Sequence, residues 1–266
     1  MILDKDKRSK RITMTGTRGM PVAKVAFMFL TVGDLNHGDL WRAFFDQGHP
    51  ALYRIVCHPK YPDRIPHSSI LKANIIDKLI HTSWAHNSLV EATILMIRQA
   101  LEDPLVEKFV LLSDSCIPVD IFDNVYKAVV LQEASSFSYN PDYHTTIDHS
   151  ARFKRLNNSR LRIPPQRFMK AHQWFILDRR AASVCANGEF LRDFDRVFAS
   201  DEHYFINICA HYKIPFLNIR RTFVDFEFER SHPRTFHEVS QSLIMRLRRH
   251  GYLFMRKIGK PLLFIP

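Results

Sequence analysis

The chain has 266 residues, 46% of them hydrophobic and 24% charged, with a formal net charge of +11. That length supports one large or two small domains around a buried core, and the balance excludes a disordered or fibrous chain. The positive charge points to an anionic partner (nucleic acid, a membrane surface or a phosphate-bearing small molecule) without separating the three.

Cys57, Cys116, Cys185 and Cys209 lie far apart with no CxxC spacing, so neither a zinc site nor a disulfide framework is signalled. No apolar run reaches the roughly 18 residues that a bilayer crossing takes. The basic N-terminus lacks the apolar stretch of a secretory signal, and the expectation is a soluble, cytoplasmic protein. Residues 1–21 are polar, basic and without periodicity, which predicts a flexible arm ahead of a single folded unit over 22–266.

Lys24–Thr31 is a continuous apolar run of buried-strand type. Leu40–Phe45 has helical spacing, and Tyr53–His58 reads as a second strand stopped by a His-Pro pair. Strand, helix and strand in that order predict a right-handed βαβ unit and a parallel sheet. Ligands gather at the carboxyl ends of such strands, where Thr31 and His58 fall. Neither GxGxxG nor GxxxxGK[ST] occurs, so no dinucleotide or P-loop signature is present.

Ser83-Trp84-Ala85-His86 precedes an amphipathic helix over Ser88–Leu101, with Glu91 as a dipole-favoured acid in its first turn. Phe109–Leu112 is the third strand and ends in Ser113-Asp114-Ser115-Cys116. A single carboxylate there suits a sugar or ribose better than a divalent metal, which two acids would hold more firmly. Asn140–Lys170 is rich in Arg, Asn, His and Pro and predicts a long surface connection with a binding role. Gln173–Leu177 returns to a strand, Arg179–Ala186 reads as a helix, and Phe216–Ile219 as another strand.

Between them lies Ser200-Asp201-Glu202-His203, at the entrance to the apolar run of Tyr204, Phe205, Ile208 and Cys209. Ser200 suits an N-cap and the acids suit the positive end of a helix. A plain capping cluster explains them; so does a general base beside an anion site, given the aromatics upstream and the cations downstream. At the C-terminus, Met245–Arg249 and Leu253–Lys257 read as an amphipathic helix with a solvated basic face, or as cations that meet a diphosphate.

Eight stretches in register carry a resemblance. They are Lys24–Thr31, Ser83-Trp84, Phe109–Pro118, Gln173-Trp174-Phe175, Asp201-Glu202-His203, Thr222–Asp225, His232-Pro233-Arg234-Thr235-Phe236 and Phe254-Met255-Arg256-Lys257. Their order and wording resemble the core-2/I-branching β-1,6-N-acetylglucosaminyltransferases, glycosyltransferase family 14, especially the plant branch. The resemblance implies an α/β fold of GT-A type, a UDP-sugar donor, a glycan acceptor, inversion by direct displacement and no metal cofactor. It implies a nucleotide-sugar half over 22–135 and an acceptor and catalytic half over 136–266. It assigns Glu202 as general base and Lys257 to the diphosphate, with an upstream arginine for which Arg248 and Arg249 are the candidates. The family's membrane anchor, stem and luminal cysteines have no counterpart here, which again favours a free-standing cytosolic enzyme.

The expected site is thus Glu202 as base, with Lys257, Arg248, Arg249, Arg256, Thr31, His58, Trp84 and Asp114 around the donor. Trp174, Gln173, Asp201, Asp225 and His232 are expected around the acceptor, although Trp174 suits a core position as well as a sugar platform. Three other readings keep a place, one of them a catalytically dead sugar-binding relative, which would keep Trp174 and lose the base. Charge and Arg/aromatic interleaving fit a nucleic-acid-binding module, which gives Glu202 no task. A transferase that holds a metal on Asp114 is the mechanistic alternative.

Overall fold

Val25, Phe27 and Phe29 face one side of a central sheet and Ala26, Met28 and Leu30 the other, and all are buried. Successive side chains of a strand point to opposite faces, so a run that is apolar throughout belongs between two covering layers. The computed structural model describes residues 23–226 and 232–265; the basic arm expected over 1–21 and Ser231 lie outside them.

Strand β1 (Lys24–Thr31) is followed by α1 (Gly38–Phe45), β2 (Tyr53–Pro59), α2 (Ser88–Leu101) and β3 (Val106–Ser113). β1 pairs in parallel with both β2 and β3, as the βαβ reading predicts. Next come β4 (Ile117–Pro118), α3 (Phe122–Val130), β5 (Ser135–Phe137), α4 (Ile147–Phe153), α5 (Asn158–Leu161) and β6 (Ile176–Asp178). Then follow α6 (Arg179–Ala186), α7 (Tyr204–His211), β7 (Phe216–Asn218) and β8 (Thr222–Val224). The described chain closes with β9 (Phe236–Ser240), α8 (Gln241–Arg249), β10 (Phe254–Arg256) and β11 (Ile258–Ile265).

The six-stranded sheet has the order β2-β1-β3-β6-β5-β7. It is mostly parallel, as expected, with one reversed strand: β6 is antiparallel to both β3 and β5. One face packs α1 and α3 around an aromatic cluster. Trp41 is fully buried there, edge-on to Phe29 at 4.9 Å, and its Nε1 donates to the Cys116 carbonyl at 2.9 Å. The other face holds α2, α6 and α7. α2 is more than amphipathic: Val90, Ala92, Thr93, Ile94, Leu95, Met96, Ile97 and Ala100 are all buried.

Two further expectations need correction. The stretch over 140–170 is no bare surface loop. It contains α4 and α5, and Tyr143, His149, Leu156, Leu161, Ile163 and Phe168 are buried. Their irregular spacing hides them from a periodicity test. At the C-terminus the helix ends at Arg249, because Gly251 takes φ +77° and a Schellman stop forms. Its amide donates to the Arg248 carbonyl at 2.9 Å and that of Tyr252 to Leu247 at 3.1 Å. Phe254-Met255-Arg256 is therefore a strand, antiparallel to β4 and parallel to β8, and the pairing carries Arg256 to the end of β3.

Candidate active site

The carboxyl ends of β1 and β3 are stitched together by Asp114, whose Oδ2 accepts the Val32 amide at 3.0 Å while its carbonyl accepts that of Asn36 at 2.9 Å. Arg256 enters beside it from β10. Its guanidinium lies over the Trp174 ring, 4.2 Å from the centroid. Burial pulls the Arg256 pKa down, and the carboxylates of Asp114 and Asp201 act to support its charge. Trp174 is itself buried, so its ring holds Arg256 instead of presenting an open face to a sugar.

Asp201 and Glu202 sit in a 3₁₀ turn (Ser200–Glu202) that precedes α7, which starts only at Tyr204. Ser200 is not the expected N-cap: its buried hydroxyl has no partner among the described residues. The two acids differ sharply. Asp201 is buried, and desolvation together with the charge of Glu202 raises its pKa to about 7. Glu202 is half-buried, and its Oε2 meets Lys170 Nζ at 3.3 Å and Arg152 Nη1 at 3.5 Å. Asp148 completes the network, with Oδ1 2.8 Å from Arg152 Nε and Oδ2 3.1 Å from Lys170 Nζ. Partial burial works against its ionisation, but the bonds from Arg152 and Lys170 prevail and hold its pKa at about 2.

The helix that follows explains why Lys170 stands opposite Glu202. His203, at the N-cap of α7, and Asn207 within it are one turn apart and both buried. His203 Nδ1 lies 2.8 Å from the Met169 carbonyl. Asn207 Nδ2 donates to that same carbonyl at 2.8 Å, and its Oδ1 accepts the Met169 amide at 3.0 Å. Burial depresses the His203 pKa to about 3, so the ring is neutral and Nδ1 carries the donated proton. The Ala171 amide then donates to the Glu202 carbonyl at 2.8 Å. Met169 and Ala171 are thereby pinned to either side of the turn, with Lys170 between them.

Cations surround the next residue too. Burial, followed by the charges of Arg220, Lys170 and Arg256, lowers the His172 pKa to about 4. Arg220 is held by the Ser138 hydroxyl at 3.1 Å, and the ring of Phe226, largely exposed, lies 5.5 Å from that of His172. On another side, Trp84 packs against Phe198 with centroids 5.6 Å apart and against His232 at 5.5 Å.

Of the other expected residues, Thr31 closes β1 with its hydroxyl 3.8 Å from the Cys57 thiol, and Gln173 is half-buried beside Trp174. His58 is corrected: it is fully buried at the end of β2, its Nε2 accepts the Ile80 amide at 3.1 Å, and it braces the chain between β2 and α2. Arg248 is corrected as well. Its Nε donates to the Val119 carbonyl and lies 3.6 Å from Asp120, at the far end of β4 from Arg256. Arg249 is exposed on the same helix. Lys257 is exposed, and its carbonyl accepts the Phe236 amide at 2.8 Å. Asp225 accepts the Arg234 amide at 2.8 Å and, with Arg234, Glu238 and Arg246, borders a cavity of about 260 Å³. Sequence reading missed Asp148, Arg152, Lys170, His172, Phe198, Asn207 and Arg220; the one available signal was the density of Arg, His and Asn over 140–170.

The family model for Core-2/I-Branching enzyme matches residues 25–248. The chain belongs to this family. This core-2/I-branching chain is 26% identical over 223 residues to "Glycosyltransferase BC10" of Oryza sativa subsp. japonica, covering 71% of this chain and 54% of that protein. The chain thus spans about half the length of the curated relative it matches. The crystal structure of A197 from STIV aligns over 60% of this chain and 67% of its own, with 8% identity and a TM-score of 0.29, too slight a likeness to carry any argument. Among the described residues of this family member, no helix is long and apolar enough to cross a membrane.

Proposed function

We propose that the chain is an inverting glycosyltransferase that moves a sugar from a UDP-sugar to a carbohydrate acceptor, with Glu202 as general base. The observation that carries the reading is the arrangement of Glu202: half-buried beside Asp201, whose charge reaches Arg256, with both of its cation contacts on Oε2. Oε1, without a hydrogen-bond or ion-pair partner among the described residues, is left to take a proton. In the step proposed, the acceptor oxygen attacks the anomeric carbon, its proton passes to Glu202, and the bond from that carbon to the β-phosphate oxygen breaks with its electron pair leaving on UDP. General-base help of this kind is worth about 10²–10⁴-fold in rate.

Negative charge grows on the departing diphosphate, and fixed cations aimed at it stabilise the transition state more than the ground state. Lys170, Arg220 and Arg256, which all act on His172, form such a group; the exposed Lys257 is a further candidate. A metal-independent reaction is supported by this density of cations, and by Asp114, one oxygen of which is already committed to the Val32 amide.

The test is a donor screen by UDP release, with and without EDTA, on the wild type and Glu202→Gln. One UDP-sugar turned over regardless of EDTA, and lost by at least about 100-fold in the variant, supports the reading. Full turnover in Glu202→Gln removes Glu202 as base, and loss with EDTA transfers the weight to a metal on Asp114.

A further inference from the structure

Trp84 is 71% exposed and Phe198 52% exposed, yet both are held by strained backbone. Ala85 and Ala199, the residues that follow them, take φ +57° and +49°, the left-handed region that alanine avoids. The two are tied together, the Ala199 amide donating to the Ala85 carbonyl at 2.9 Å. Folding thus spends backbone strain to keep two large rings in water and edge to face, 5.6 Å apart. Of the three tryptophans, Trp41 and Trp174 are buried, so this one is outside for a reason other than chance placement.

The pair is also registered to the proposed base. Arg152 Nη1 donates to the Phe198 carbonyl at 2.7 Å and contacts Glu202 Oε2 at 3.5 Å, while its guanidinium covers the Phe198 ring at 5.1 Å. One nitrogen touching both places the backbone of Phe198 within about one sugar ring of the carboxylate. His232 stands against Trp84 on another side and offers a ring nitrogen for a hydroxyl.

We propose that Trp84 and Phe198 form a stacking subsite for a pyranose ring of the acceptor, adjacent to the ring whose hydroxyl Glu202 deprotonates. The proposal rests on the transferase reading and deepens it: the acceptor class is an oligosaccharide of at least two units. A pyranose presents a face of C–H bonds that matches the electron-rich face of indole, and its hydroxyls remain free for His232 and water. The open rings beside a carboxylate fit a sugar chain better than a protein partner, whose hot spots are desolvated pockets.

The experiment uses Trp84 as its own reporter, because the other two tryptophans are shielded from acrylamide. Gluco-, xylo-, galacto- and N-acetylglucosamine-based saccharides of one to five units are titrated against the chain without any UDP-sugar, and acrylamide quenching is followed, with Trp84→Phe as the blank. At least one series is expected to protect Trp84 from two units upward, with an affinity about tenfold weaker in Phe198→Ala. In transfer assays Trp84→Ala is expected to lower the preference for the disaccharide over the monosaccharide, as kcat/KM, about tenfold. Protection by UDP with none by any saccharide places Trp84 on the donor and overturns the proposal, as does the absence of protection altogether. Saccharide protection in a chain that turns over no UDP-sugar keeps the subsite and sinks the transferase reading, so the two fail separately.

Discussion

The region from β1 to β3 and the irregular region over 138–175 differ in what holds them together. The first is a sheet whose alternate residues fill two apolar cores, and its strength is burial. The second is pinned by side chains: His149 Nε2 lies 2.8 Å from the Pro165 carbonyl, Asn158 brackets Ile163, and His203 with Asn207 grips Met169. Burial disfavours unpaired charge, and Lys108, buried on β3, is spent on the Gln132 carbonyl, so the sheet positions the site without supplying its chemistry. The irregular region can turn Asp148, Arg152 and Lys170 toward Glu202 because polar bonds, added to the burial of Tyr143, Leu156, Ile163 and Phe168, set its path.

The contrast breaks most visibly at Trp41. Trp41→Ala removes the centre of the aromatic cluster and leaves the Cys116 carbonyl without its donor, a loss of about 3–5 kcal/mol in denaturant unfolding. A loss below about 1 kcal/mol would show that the cluster is not the scaffold. Lys170→Met is the counterpart. Its ion pairs are partly exposed and screened, so stability should change by about 1 kcal/mol or less, while kcat/KM for transfer falls by at least about tenfold. Equal losses in both quantities would erase the distinction between the two regions.

The smallest effect is read in pH. The folded Asp201 pKa, about 7, lies above the ordinary carboxylate value, so the folded state binds the extra proton and stability falls as pH rises from about 4 to 7. His172 and His203 act oppositely: with folded pKa values of about 4 and about 3, they make stability fall as pH drops below about 6.5. In Asp201→Asn the contribution of this carboxyl is gone, and the gain in Tm over the wild type should grow through that window and level off above it. A gain that does not vary with pH would remove the raised carboxyl from the account.

Much of the fold was legible because period and punctuation are local. The strand at Lys24–Thr31, the helix at Ser88–Leu101 and that at Arg179–Ala186 fall where apolar spacing and flanking residues put them. Glu202 was legible as a candidate because an acid pair before an apolar helix is a local pattern, and the family resemblance reinforced it. The reversed direction of β6 was not, since a strand reads the same in either direction until its neighbours are known. Nor was the division of labour between Asp201 and Glu202: adjacent and chemically alike, they are separated only by what surrounds them, a desolvated interior for one and two cations for the other. By itself the sequence determined five of the six strands of the sheet, the family and the acid pair; the three-residue β5 is too short to show a period. Only the tertiary structure decided that Lys170 and Arg152 meet Glu202, that His58 and Arg248 serve the scaffold, and that Trp84 stands in water beside Phe198. Those outcomes depend on contacts between residues distant in the chain, and no local period encodes them.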